Sequence, residues 1–193
     1  MTDQLFTTTQ SIASKAILLV DTSGSVASNF KGCTVFEKME KVITELPETE
    51  FRICLWNNRI VQYPHVVTKN NMSQIFKYFK TQITGSTQPH LGFSGILPTW
   101  IDNVTKTSIY LVTDGQMDTG AQYKQLLEQA ITKMFSTYTN ISLTIITVEN
   151  RNMDFGSAEG LGNAPGSDVY KVIVDSKLTN YVNKFISYSL NNE

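Results

Sequence analysis

At 193 residues, 41% of them hydrophobic and 17% charged, the chain has the size and apolar content of one folded domain rather than a disordered segment. A net charge of −1 offers nucleic acid no basic face, and Lys31, Lys38 and Lys41 read as a solvated helix surface. No stretch approaches the ~20 apolar residues that span a bilayer. Residues 1–14 form a polar, Thr-rich extension without the basic start and apolar core of a secretory leader. The expectation is a cytoplasmic protein with a single domain across 1–193. Cys33 and Cys54 are read as buried thiols rather than a disulfide.

The first predicted element is a strand at Lys15–Val20, a continuous apolar run of the kind buried on both faces of a parallel sheet. A helix follows near Phe36–Leu46, with Phe36, Met39, Val42, Ile43 and Leu46 at helical spacing, and Pro47 stops it. Phe51–Trp56 reads as the second strand. Asn57-Asn58 makes a turn into an antiparallel edge partner over Arg59–Val67, where Pro64 is tolerated. Ser73 is expected to cap a helix carrying Ile75, Phe76 and Phe79. Pro89 opens a third helix with Leu91, Phe93, Ile96 and Leu97, broken near Pro98. Ser108–Val112 is the fourth strand. A long helix over Ala121–Tyr138 places Leu126, Leu127, Ile131 and Met134 on one stripe. Ile141–Val148 is the fifth strand, Gly156–Asp168 a glycine-rich loop, Val169–Val174 the sixth strand and Leu178–Leu190 a closing helix. Strands alternating with helices predict a doubly wound, mostly parallel α/β sheet flanked by helices. Such sheets bind ligands beyond the carboxyl ends of their strands, where strand order reverses.

The chemistry concentrates where the first strand ends, at Asp21-Thr22-Ser23-Gly24-Ser25. An Asp-x-Ser-x-Ser turn brings one carboxylate and two hydroxyls to the same side of a tight loop. Clustered hard oxygens suit Mg²⁺, which takes octahedral oxygen ligands and keeps some of its waters. Two later segments share the character of the first: Gly85-Ser86-Thr87-Gln88-Pro89 ahead of a helix, and the strand Ser108–Val112 running into Thr113-Asp114-Gly115.

Together these segments resemble the metal-ion-dependent adhesion site of von Willebrand factor type A (vWA) domains. That family carries Asp-x-Ser-x-Ser, then a Thr in a Gly-containing loop, then Thr-Asp-Gly after the fourth strand. The match falls on Asp21, Ser23, Ser25, Thr87 and Asp114, in an order that extends over nearly the whole chain. The resemblance implies a six-stranded Rossmann-like sheet of order 3-2-1-4-5-6 with strand three antiparallel. Strands one and four then meet at the reversal. It also implies Mg²⁺ or Mn²⁺ held by the hydroxyls of Ser23, Ser25 and Thr87, with Asp21 and Asp114 supplying charge directly or through water. An Asp or Glu of a partner protein would complete the metal's coordination. The expected function is a non-enzymatic adhesion or assembly module, and intracellular relatives with vWA parts are of that kind.

The partner-binding rim is expected at Gln116, Met117 and His90, the first two exposed beside the metal and His90 solvated in a loop or first helical turn. Asp118 and Glu149 are ordinary surface acids or tune the potential of that rim. Cys33, Cys54, His65 and His90 lack zinc spacing, and Trp56 and Trp100 read as core. Gly160–Gly166 mimics part of a dinucleotide loop but opens no helix. Two alternatives stand beside the interaction module. One is a Mg²⁺-dependent phosphohydrolase of the haloacid-dehalogenase type. That chemistry wants a second acid two residues after the first as proton donor, and here the position is Ser23. The other is a metal-free structural scaffold.

Overall fold

The computed structural model describes residues 15–149, 158–159 and 167–189. Gly160–Gly166 and the extension over 1–14 lie outside them. In chain order the elements are β1 (Lys15–Asp21), a 3₁₀ turn (Gly24–Ala27), β2 (Asn29–Phe30), β3 (Cys33–Thr34), α1 (Val35–Thr44) and β4 (Glu50–Trp56). Then come β5 (Ile60–Gln62), β6 (Val67–Thr68), α2 (Met72–Lys80), α3 (His90–Ser94), a 3₁₀ turn (Pro98–Trp100) and β7 (Thr107–Thr113). The chain continues through α4 (Ala121–Thr137), β8 (Ile141–Glu149), β9 (Ala158–Glu159), α5 (Asp168–Asp175), a 3₁₀ turn (Leu178–Tyr181) and β10 (Val182–Ser189).

Among the described residues the main sheet has eight strands rather than six, in the order β5-β4-β1-β7-β8-β10-β9, with β6 pairing β4. β4, β1, β7, β8 and β10 are parallel, and β5, β6 and β9 are short antiparallel additions. The strand-order reversal therefore lies between β1 and β7, as the vWA resemblance implies.

The period of two in the central strands divides the core into two layers. Ile17, Leu19, Trp56, Ile109, Leu111 and Leu143 face α3, α4 and α5. Leu18, Val20, Ile53, Leu55, Tyr110 and Val112 face α1 and α2. Burial on both faces is why β1 and β7 read as unbroken apolar runs. Helix α1 starts on a capping box: Glu37 N donates to Thr34 Oγ1 at 3.1 Å, and Thr34 N donates to Glu37 Oε2 at 2.9 Å. Thr34→Ala should lower stability by about 1 kcal/mol, read from urea denaturation midpoints at unchanged slope.

Several expectations are corrected. The final helix and strand exchange places: residues 168–175 are helical and residues 182–189 are a strand. Val169, Val172 and Ile173 are buried at helical spacing, and the Ser167 hydroxyl caps α5 by accepting from Tyr170 N at 3.1 Å. Parallel neighbours need a crossover, and α5 supplies it between β8 and β10. The strand imitates a helix because its register shifts between Val182 and Lys184, which puts Val182 and Phe185 on one face three residues apart.

The expected partner over Arg59–Val67 splits into β5 and β6, which flank Pro64 and both pair with β4. Ser73 is not a cap: α2 starts one residue earlier, after Asn71. Helix α3 ends at Ser94, short of Ile96 and Leu97, and Leu126 is exposed on α4. Cys54 is buried as expected, whereas Cys33 is only partly so. No helix among the described residues is long and apolar enough to cross a membrane.

Candidate metal centre

The parallel register sets Val20 beside Val112, so Asp21 is level with Thr113 and Asp114 follows one residue beyond. Thr113 Oγ1 donates to Asp21 Oδ2 at 2.7 Å, and Ser23 N donates to Asp21 Oδ1 at 2.8 Å. These bonds turn the chain sharply after β1, and Ser23 Oγ comes to 3.1 Å from Ser25 Oγ. Gly115 takes a left-handed φ of 83° after Asp114, and Gln116 N donates to Asp114 Oδ1 at 2.9 Å. An added Cβ at Gly115 would also meet Ser167 Oγ at 2.8 Å. Glycine is therefore required there by both torsion and space.

Thr87 reaches the same place through a loop stitched to its neighbours. Thr84 N donates to Thr22 O at 2.9 Å and Gly24 N donates to Gly85 O at 3.1 Å. Asn57, read as a simple turn residue, is 2% exposed and forms a hub of this network. Its side-chain amide donates to Thr22 O and Gln82 O, and its carbonyl accepts from Gln88 N at 3.2 Å. Polarity is the one sequence sign of that role: an Asn after a buried strand is unremarkable, and only the tertiary contacts bury it.

Asp21, Ser23, Thr87 and Asp114 are all buried and Ser25 partly so. Desolvation, then the neighbouring Asp114 charge, pushes the Asp21 carboxyl up to about 7, although its hydrogen bonds to Ser23 and Thr113 hold it down. Asp114 is raised too, first by desolvation, with the Asp168 charge adding to it and hydrogen bonds from Ser25 and Gln116 opposing. Asp114 Oδ2 is buried and has no hydrogen-bond partner among the described residues. Among the described residues neither Asp21 nor Asp114 forms an ion pair, and the salt bridges are Lys15–Asp102 and Lys80–Glu37. No group of three or more His, Cys, Asp or Glu gathers among the described residues. The site is two carboxylates with hydroxyls, a hard-oxygen set.

The rim departs from expectation in part. Gln116 is exposed, but Met117 is buried in the layer under α4 and α5, because the chain dips inward there before α4 begins. His90 opens α3 and is buried rather than solvated; burial lowers its pKa, and the Asp118 charge opposes that. Trp56 and Trp100 are buried core residues.

The architecture carries solved counterparts over most of its length. The SpRpn10 VWA domain aligns with a TM-score of 0.59, covering 92% of this chain and 87% of that one at 10% identity. The fold is that of the von Willebrand factor type A domain. The vWA fold is also matched by the zinc-occupied proximal thread matrix protein 1 of the mussel byssus, at TM-score 0.55 and 14% identity, over 72% of this chain and 39% of that one. Manganese-loaded Plasmodium vivax TRAP protein aligns at TM-score 0.51 and 16% identity, over 70% of this chain and 57% of that one. No protein-family model matches the chain. In sequence it is similar to an uncharacterized protein, L611, of Acanthamoeba polyphaga mimivirus, with 37% identity over 209 residues. That alignment takes in 95% of this chain and 22% of the relative, so the chain spans about a fifth of the protein it matches.

Proposed function

We propose that this vWA domain is a divalent-cation-dependent protein-interaction module that binds a carboxylate of a partner protein, rather than an enzyme. The observation that carries the reading is the buried Asp21–Asp114 pair, with Asp114 Oδ2 unpartnered and no ion pair to neutralise it among the described residues. Two desolvated acids side by side resist ionisation, and a hard dication is the counter-charge their oxygen chemistry suits. Ser23, Ser25 and Thr87 would offer neutral hydroxyls, and Asp21 and Asp114 the negative charge. A bound Mg²⁺ or Mn²⁺ supplies an electrophilic position for an incoming Asp or Glu.

Two solved proteins of this fold are described as manganese-loaded or as having a zinc-occupied metal-ion-dependent adhesion site, which supports a divalent ion without selecting one.

Calorimetry with Mg²⁺ and Mn²⁺ tests the reading. The wild-type chain should bind one ion per molecule, and Asp21→Ala and Asp114→Ala should each abolish the heat of binding. An Asp- or Glu-bearing partner should be recovered in pull-downs with Mg²⁺ and lost with EDTA. Undiminished metal affinity in both variants sinks the proposal.

A further inference from the structure

We infer that Asp118 is the positioning residue that holds Thr87 in the cation site. The inference rests on the metal reading above and adds to it a residue that touches no metal. Asp118 lies four residues after Asp114, in the loop between β7 and α4. Both of its carboxylate oxygens turn back to the Thr87 loop. Thr87 N donates to Asp118 Oδ1 at 2.9 Å, and Gln88 Nε2 donates to Asp118 Oδ2 at 3.2 Å. The backbone closes the ring, with Asp118 N donating to Thr87 O at 2.8 Å. Thr87 therefore has its amide and its carbonyl tied to the same residue.

An Asp this close to a helix start has an obvious alternative use, which is to cap the helix. Helix α4 begins at Ala121 after Gly120, with no side-chain cap and no acid in its first turn. Asp118 leaves that amide end alone and spends its carboxylate on a loop thirty-one residues upstream. Nor is it engaged in an ion pair among the described residues. Asn57 pins the same loop from the other side, through Gln82 O and Gln88 N.

Three loops thus supply the five candidate ligands, and Asp118 joins the one bearing Thr87 to the one bearing Asp114. A hydroxyl ligand is weak on its own, so its contribution depends on being held in place. Residues that orient ligands without touching the ion typically carry a ten- to hundredfold share of affinity.

The test compares the full chain with Asp118→Ala, Asp118→Asn and Thr87→Val. Two readouts are used: amide hydrogen exchange in EDTA by NMR, and Mn²⁺ affinity by titration of the free-ion EPR signal. In Asp118→Ala the Thr87 amide should exchange about tenfold faster or more, while amides of β1 and β7 keep their protection. Its Mn²⁺ dissociation constant should rise at least about tenfold, as in Thr87→Val. Asp118→Asn retains an oxygen acceptor for the Thr87 amide and should restore both readouts most of the way. Wild-type Mn²⁺ affinity in Asp118→Ala, or unchanged exchange at Thr87, overturns the inference and leaves the metal reading intact. Loss of protection throughout β1 and β7 in both Asp118 variants would make the residue a fold determinant and overturn it as well. Absence of Mn²⁺ binding by the wild-type chain overturns the metal reading and this inference together.

Discussion

In EDTA, the protein should be less stable at pH 7.5 than at pH 5, by an amount on the order of a few kcal/mol. The cause is the buried acid pair. In the unfolded chain Asp21 titrates near the ordinary carboxylate value of 3.8, whereas the fold pushes it up to about 7 through desolvation and the charge of Asp114. Between those values the folded state holds a proton that the unfolded state has released. Stability therefore falls as pH rises through the interval. The raised Asp114 acts in the same direction.

His90 opposes it: its lowered pKa means that acid favours the unfolded chain below the ordinary imidazole value of 6.5. Glu37 and Asp102 are held below their ordinary values, so their stabilisation is lost at more acid pH and does not enter this window. Urea denaturation of wild type and Asp21→Asn at the two pH values isolates the effect. The variant should slope less steeply than wild type. Added Mg²⁺ or Mn²⁺ should raise the wild-type melting temperature at pH 7.5 and do little at pH 5, where protons compete for the same oxygens. Equal wild-type stability at both pH values in EDTA would show that the pair is not strained.

Trp56→Ala should cost about 3–5 kcal/mol, near the top of the range for a single core truncation. Trp56 is fully buried at the carboxyl end of β4, directly across from Asp21 in the parallel register. Its indole lies against Gly92 of α3, where an added Cβ would come within 2.7 Å of the ring. Removing the ring opens a cavity that rigid sheet strands cannot collapse to fill. The cost falls where β4 carries Asn57 and, through it, the Thr87 loop. Cation affinity should weaken along with stability.

Trp56→Phe is the informative companion. Trp56 Nε1 is buried without a hydrogen-bond partner, so phenylalanine removes an unsatisfied donor while keeping most of the packing. It should cost much less than the alanine change, measured by urea midpoints on both proteins. A phenylalanine variant as unstable as the alanine one would mean that shape alone decides the site.

These two effects arise at the same end of the sheet, and the sequence announced that end more clearly than any other part of the chain. The apolar runs of β1, β4, β7 and β8 could be buried only on both faces, and each is a parallel central strand. Asp21 and Asp114 stand at the ends of two of those runs, and the strand order that the vWA resemblance implies brings them together. Gly115, with its left-handed torsion, and the hydroxyls at Ser23 and Ser25 were legible for the same reason: short-range turn geometry restricts residue type strongly.

Where two period patterns coincided, local sequence could not choose. Residues 168–175 are rich in β-branched side chains yet form a helix, because β8 and β10 run parallel and need a crossover between them. Residues 182–189 carry helical spacing yet form a strand, because a register shift places Val182 and Phe185 on one face. Met117 looked like a rim residue from its distance to Asp114, and only the packing of α4 and α5 takes it inside. Asn57 was invisible as part of the site, and Asp118 was legible only as an acid of the rim, for a related reason. Their partners lie across loops from distant parts of the chain, and no spacing records a contact that the sheet order creates. The sequence by itself determined which hydroxyls and carboxylates stand where the strands end, because strand ends and tight turns are local matters. Tertiary structure decided what holds them there, because burial and loop-to-loop hydrogen bonds exist only after the sheet has assembled.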